Sequence, residues 1–257
     1  YAILTNNSVQ ENTTYSAIHT RATRGTFGEY VAWEGNNGSL NIWSGCDEHA
    51  TPQGRLYNYL GNLINGTSGD IFQPGIKKEH KLPVYVDSIY RSVTLEYNQS
   101  LNFQDLALYR FILEVDQLNS AKNNPYNCAF GNFGPDGVHN MSQAVGAPIF
   151  ASKPYFLDGN KSLWENLTDF RPDVVDRETF DTFLDIEPVT GTLVRAQKLL
   201  QTNVYVRPYN NTGLNLLEHV RYLYLPVMFA SENFRLQKNI TSSIGDSIDP
   251  IIEAGDI

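Results

Sequence analysis

Alternating apolar and polar positions dominate the chain from residue 83 onward. PVYVDSIYRSVTLEYN (83–98) sets Val, Ile, Tyr and Thr in near alternation, and LALYRFILEV (106–115) repeats the texture; both predict strands. GAPIFASKPYFLDGN (146–160) reads as extended, because Pro148 and Pro154 exclude a helix interior. Between 161 and 181 the pattern allows only short helical turns, at WENL and VDRETF. In TFLDIE (182–187), Leu184 and Ile186 face one way along a strand, and Phe183, Asp185 and Glu187 the other. PVTG then supplies turn chemistry, since Pro fixes φ and Gly tolerates a positive φ. TLVRAQKLLQTNVYVRP continues with an apolar face of Val194, Ala196, Leu200, Val204 and Val206, broken by Lys198 and Thr202. The pattern predicts a long-stranded β-hairpin over 182–208 and a further strand in HVRYLYLPVMFAS (219–231). Residues 1–45 hold short extended pieces (EYVAW, SLNIW), 46–82 read as irregular, and the tail 240–257 carries no assigned element. The sum is one mainly β, meander-like domain over 1–257 with little helix.

Composition narrows the function classes. A formal net charge of −9, with no basic block, opposes nucleic-acid binding. No apolar run approaches the roughly 20 residues that cross a bilayer; the longest, YLYLPVMFA (222–230), is half that and holds a Pro. The first residue is Tyr1, so the chain is expected to start inside a longer protein or after processing. Asn-x-Ser/Thr sequons occur at Asn6, Asn12, Asn37, Asn65, Asn98, Asn140, Asn160, Asn166, Asn210 and Asn239. Chance would give about three. The excess points to a glycoprotein of the secretory pathway, cell surface or lysosome. Cys46 and Cys128 form either one bridge or two free thiols. In an oxidising lumen a bridge is expected, worth about 4 kcal/mol in the chain-entropy model.

Candidate chemistry is sparse. Asp185 and Glu187 on one strand face would lie about 7 Å apart, within the separation of an inverting glycosidase pair. Catalytic carboxyls, however, usually face each other across a cleft from different segments. The structural reading is that they meet Arg or Lys on neighbouring strands or cap the following turn. Cys46 and His49 have Cys-x-x-His spacing but no second ligand pair nearby, so no metal site is expected. No nucleophile elbow, P-loop, zinc-protease helix or dinucleotide fingerprint is present, and no cofactor is expected.

Several segments together resemble the class B scavenger receptor family, including the branch of lysosomal integral membrane protein type 2. In family order they are WSGCDEH with the following NGT and FQP, SIYRSV, LYRFIL, NNPYNC, GAPIFASKPYFLDG and TFLDIEPVTG. The last resembles the family's Leu-Asp-Ile-Glu-Pro-x-Thr-Gly signature and is the most specific. Two departures stand out: Tyr90 takes the place of a family Cys, and Gly131 lies near the place of another. Cys46 and Cys128 match the family's outer pair.

The resemblance implies a large irregular antiparallel β-barrel core with short helices, containing a lipid tunnel, in an ectodomain anchored by membrane spans outside this chain. It implies a non-enzymatic receptor that passes phospholipid, cholesterol or fatty acid toward the bilayer. The expected location is the luminal side of the lysosomal or endosomal membrane, with the extracellular side of the plasma membrane as the alternative. The family's N-terminal third, with its apex helical bundle, is absent from the chain, so the N-terminal fragment of the same ectodomain is an expected partner. A lysosomal hydrolase is a further expected cargo. For the cavity lining, the inner-face expectations are Phe111, Phe150, Phe156, Val194, Ala196, Leu200 and Val204, each weighed against ordinary packed core. A plasma-membrane scavenger receptor for lipoproteins, particles or microbes is the second function, a secreted glycoside hydrolase using Asp185 or Glu187 the third, and an adhesion module without a ligand cavity the fourth.

Overall fold

The computed structural model describes residues 17–18, 30–33, 36–37, 40, 42–43, 61–119, 134–168, 170–208 and 220–253. Three short strands, β1 (Ala17–Ile18), β2 (Tyr30–Trp33) and β3 (Asn36–Asn37), make a small antiparallel sheet. All the other described strands belong to one sheet. They are β4 (Leu82–Val86), β5 (Arg91–Phe103), β6 (Leu106–Leu113), β7 (Val138–Asn140), β8 (Ile149–Ser152), β9 (Phe183–Glu187), β10 (Thr192–Val206) and β11 (Leu223–Arg235). The order is β4-β5-β6-β9-β10-β8-β7, with β11 along the other side of β10. Every strand pairing in it is antiparallel. The mainly β architecture is as the alternation predicts. Among the described residues, however, the sheet is open rather than closed into a barrel: β4 and β7 end its main path, and β11 is a further free edge.

The run 83–98, read as one strand, is a hairpin. Asp87–Ile89 form one 3-10 turn, and Tyr90 adopts the left-handed conformation (φ 52), which reverses the chain between β4 and β5. The Tyr90 carbonyl accepts a hydrogen bond from Trp43 Nε1 at 2.9 Å. β5 returns into β6 through Gln104 and Asp105, both at positive φ (50 and 69), as a two-residue hairpin loop requires.

The hairpin expected over 182–208 is shorter than its strands. β9 and β10 pair only at Thr192↔Glu187 and Leu193↔Ile186. Beyond that point β9 pairs with β6, while β10 runs between β8 and β11. β11 matches β10 from Val206↔Leu223 to Arg195↔Arg235, with one bulge at Thr202/Asn203. It therefore extends four residues past the expected strand.

Alternation gives the sheet two apolar faces. On one, Val93, Leu95, Phe111, Leu184, Ile186 and Leu193 are buried together. On the other, Leu106, Leu108 and Val194 pack against Ile248. Ile248 belongs to a helix that the sequence reading missed. Helices α1 (Ser142–Val145) and α2 (Arg177–Phe180) are single turns, but α3 (Lys238–Glu253) has 16 residues. Its signal was Ile240, Ile244 and Ile248, spaced four apart. A third cluster joins Val138, Phe150, Phe156, Leu163 and Tyr224 beside β7 and β8.

Candidate functional site: an apolar cavity beside a rigid turn

The TFLDIEPVTG segment builds one wall of the site and fixes its corner. Asp185 is fully buried, at 0 % exposure. It takes two hydrogen bonds from Arg110, from Nε at 2.7 Å and Nη2 at 2.8 Å. Arg195 Nε lies 3.4 Å from its second oxygen. Glu187, at 1 % exposure, caps the turn that follows it. Its carboxylate accepts from the backbone N–H of Val189 (2.8 Å) and of Thr190 (2.7 Å), and from the Thr190 hydroxyl (2.6 Å). Gly191 N–H closes the turn onto the Glu187 carbonyl at 2.9 Å. Both carboxylates thus have the structural roles expected of them, one meeting arginines and one capping a turn.

The same turn receives the FQP segment. Phe72 N–H donates to the Gly191 carbonyl, Gly75 N–H to that of Val189 and Ile76 N–H to that of Pro188, over 2.8–3.1 Å. A Cβ on Gly191 would sit 2.3 Å from the Phe72 carbonyl oxygen, and its φ of +74 is left-handed. No other residue fits there.

Beside this wall lies a cavity of about 420 Å³. β4 contributes Val84, β5 Val93 and Leu95, β6 Leu113, β9 Leu184, β10 Leu193, Ala196 and Leu200, and β11 Phe234. β8 adds Ser152, and one cavity lined from seven strands means that the sheet curls around it. The polar residues on its border are concentrated in a few groups. Lys198 reaches Glu232 at 3.2 Å and Asp87 at 4.0 Å. Lys153 is held by Asp158 at 2.6 Å and Asp181 at 3.2 Å. Burial acts against the Asp158 charge, but hydrogen bonds from Arg177 and Lys153 outweigh it and hold its carboxyl below the ordinary value. Apolar surface continues from the half-exposed Phe234 at the cavity border along β11, where Met228 (60 %) and Phe229 (50 %) are exposed.

A buried polar pair backs the wall at Ile89. His139 Nε2 lies 3.1 Å from the Ile89 carbonyl, and its ring meets Trp43 edge to face. Burial, reinforced by the neighbouring Arg91 charge, keeps His139 well below the usual histidine range. Burial also lowers Arg91, to about 10. Its two terminal nitrogens have no hydrogen-bond partner among the described residues.

Of the seven expected lining residues, Ala196 and Leu200 border the cavity. Phe111 is packed inside the adjoining core, Phe150 and Phe156 lie in the cluster beside β7 and β8, and Val194 faces α3 on the opposite side of the sheet. Val204 is half-buried on β10, between β8 and β11, away from the cavity border. The single apolar face expected along β10 breaks after Val194, which faces α3 while Ala196 and Leu200 border the cavity, and the alternation did not register that the cavity spans β4 and β5 as well.

Sequons Asn65, Asn98, Asn160, Asn166 and Asn239 are exposed. Asn140 differs: it is 9 % exposed, and its Oδ1 accepts from both the backbone N–H and the hydroxyl of Ser142. For Asn37 only the backbone, in β3, is described. Asn6, Asn12, Asn210, Cys46, His49 and Cys128 lie outside the described residues.

Comparison with known proteins fits this arrangement. The family model for the CD36 family matches residues 2–256. Rat lysosome membrane protein 2 is 30 % identical over 227 residues, covering 84 % of this chain and 45 % of the relative. The human protein of that name is 30 % identical over 231 residues, covering 86 % and 46 %. Mouse scavenger receptor class B member 1 is 31 % identical over 153 residues, covering 59 % and 30 %. The chain spans about half the length of the lysosome membrane proteins it matches. With the signature turn, its docked FQP segment and the strands between them all inside the matched region, the chain belongs to the CD36 family.

Proposed function

We propose that this chain is the lipid-binding part of a glycosylated membrane receptor's ectodomain, which takes phospholipid, sterol or fatty acid into the cavity and passes it toward the bilayer. The observation that carries the reading is the cavity itself: a mainly apolar, partly open space of about 420 Å³ lined from seven strands and bordered by a few charged groups. That volume lies in the usual range of ligand pockets, about 300–1,000 Å³. Each methylene transferred into such a space gains about 0.8 kcal/mol. The exposed Met228 and Phe234 extend the apolar surface along β11, whose outer edge is unpaired among the described residues. The N-terminal part of the same ectodomain covers that edge and completes the passage. The luminal face of the lysosomal membrane is the preferred location, supported by the likeness to lysosome membrane protein 2. The likeness to scavenger receptor class B member 1 supports the plasma-membrane alternative. A glycosidase reading is opposed by Asp185 and Glu187, both buried and engaged in structural hydrogen bonds. Cys46 and Cys128 form a disulfide, the five exposed sequons carry glycans, and Asn140 carries none. A lysosomal hydrolase is the protein cargo of the lysosomal form.

The test is extraction of the purified intact ectodomain with organic solvent and identification of the lipids by mass spectrometry, against a mock purification. Stoichiometric lipid is expected, and Ala196→Trp, which fills the cavity, should abolish it while the protein still folds. A clean blank, persisting after incubation with mixed liposomes, would overturn the reading in favour of adhesion.

A further inference from the structure

A second site lies on the opposite face of the sheet. Three arginines gather there, and two of them, Arg110 and Arg195, share the single carboxylate of Asp185. Arg110 engages both oxygens of Asp185 through two hydrogen bonds, and Arg195 forms an ion pair with the same carboxylate at 3.4 Å. No carboxylate pairs with Arg235 among the described residues. Arg195 and Arg235 are direct cross-strand partners in the β10–β11 ladder. Like charges placed opposite each other destabilise an antiparallel pair, so this register needs compensation. Part of it comes from Phe103, which both guanidinium groups approach, at 4.8 and 4.7 Å from the ring centroid. Arg110 lies over Phe183 at 3.8 Å, and Arg195 reaches the same ring at 5.5 Å. The rings hold the planar forks in place, and the single Asp185 carboxylate leaves the three guanidinium groups with a net positive charge. Thr241, in the first turn of α3, bonds Gln104 beside Phe103 at 2.7 Å, which brings the positive end of that helix to the same corner.

We infer that Arg195 and Arg235, positioned by Phe103, form a binding site for a phosphate group, presented either by an anionic phospholipid head or as free phosphate. Two guanidinium forks match the oxygens of a phosphate, and a bound anion removes the repulsion built into the register. The site is independent of the cavity, because it lies on the α3 side of the sheet.

The experiment uses the intact ectodomain in two arms. In one, inorganic phosphate is titrated against chloride at matched ionic strength, with thermal unfolding as readout. In the other, co-sedimentation is measured with vesicles of phosphatidylcholine, alone and with phosphatidylglycerol. Parent protein should sediment with the anionic vesicles, and Arg235→Gln and Arg195→Gln should each weaken this about fivefold. Ala196→Trp should leave it unchanged. Phosphate stabilisation lost in both variants, without vesicle binding, would support the site with soluble phosphate as its occupant. If the variants respond as the parent does in both arms, the inference is overturned. Arg235 is exposed at the end of β11, so Arg235→Gln remains informative even if Arg195→Gln fails to fold.

Discussion

Asp185→Asn is the substitution that probes the sheet most directly. Asparagine has the same shape but no charge, and one of its two ends becomes a donor. Arg110 presents N–H groups to both oxygens of Asp185, at 2.7 and 2.8 Å. The variant therefore sets the new amide N–H₂ against one of them and leaves a half-buried guanidinium without its counter-charge. Arg195, at 3.4 Å, loses its only anionic partner among the described residues. Removing one member of a buried pair costs about 3–5 kcal/mol, a large part of a total stability of about 5–15 kcal/mol. For a domain of this size the thermal midpoint should fall by about 6–20 °C. Equilibrium unfolding of parent, Asp185→Asn and the apolar double variant Arg110→Met/Asp185→Leu measures it. The double variant should recover part of the loss, because the charge-to-charge demand disappears with both partners. A midpoint for Asp185→Asn within about 1 °C of the parent would refute the structural role assigned to this carboxylate.

Three further outcomes follow from the geometry. Gly191→Ala should cost at least about 2 kcal/mol, combining the left-handed penalty with lost hydrogen bonds from the 72–76 loop; a parent-like denaturation midpoint would contradict it. His139 is neutral when folded but takes up a proton below about pH 6.5 when unfolded. Its contribution is therefore complete above that pH and lost at up to about 1.4 kcal/mol per unit as pH falls toward the folded value. Stability measured from pH 7 to 5 should show this slope, and His139→Gln should flatten it. Asp158 has the same sign in a more acidic window: its depressed carboxyl contributes fully above the ordinary Asp value, and that contribution is lost as pH drops through the folded one. Asp158→Asn should thus destabilise by about 1–3 kcal/mol at pH 5–7, with the difference narrowing below pH 4 in acid-unfolding curves.

What the sequence by itself determined is what local chemistry determines. Alternation placed Asp185 and Glu187 on one face of β9, and Leu184 and Ile186 on the other, since side-chain direction along a strand needs no tertiary information. Pro188 and Gly191 marked the turn, and six ordered motifs pointed to the family. The tertiary structure decided the rest. The reversal at Tyr90 was invisible because a Tyr at φ 52 carries no turn signature and is held there by the packing of its neighbours. The hairpin at Gln104–Asp105 lacked the usual Asn-Gly signal for the same reason. α3 was hidden by Gly245 and Pro250, although its isoleucine spacing was legible. The cavity could not be read at all: Val84 and Leu200 are more than a hundred residues apart, and only the curl of the sheet brings them to one space. The meeting of Arg195 with Arg235 is likewise a matter of register, which the pairing of β10 with β11 sets and neither strand encodes alone.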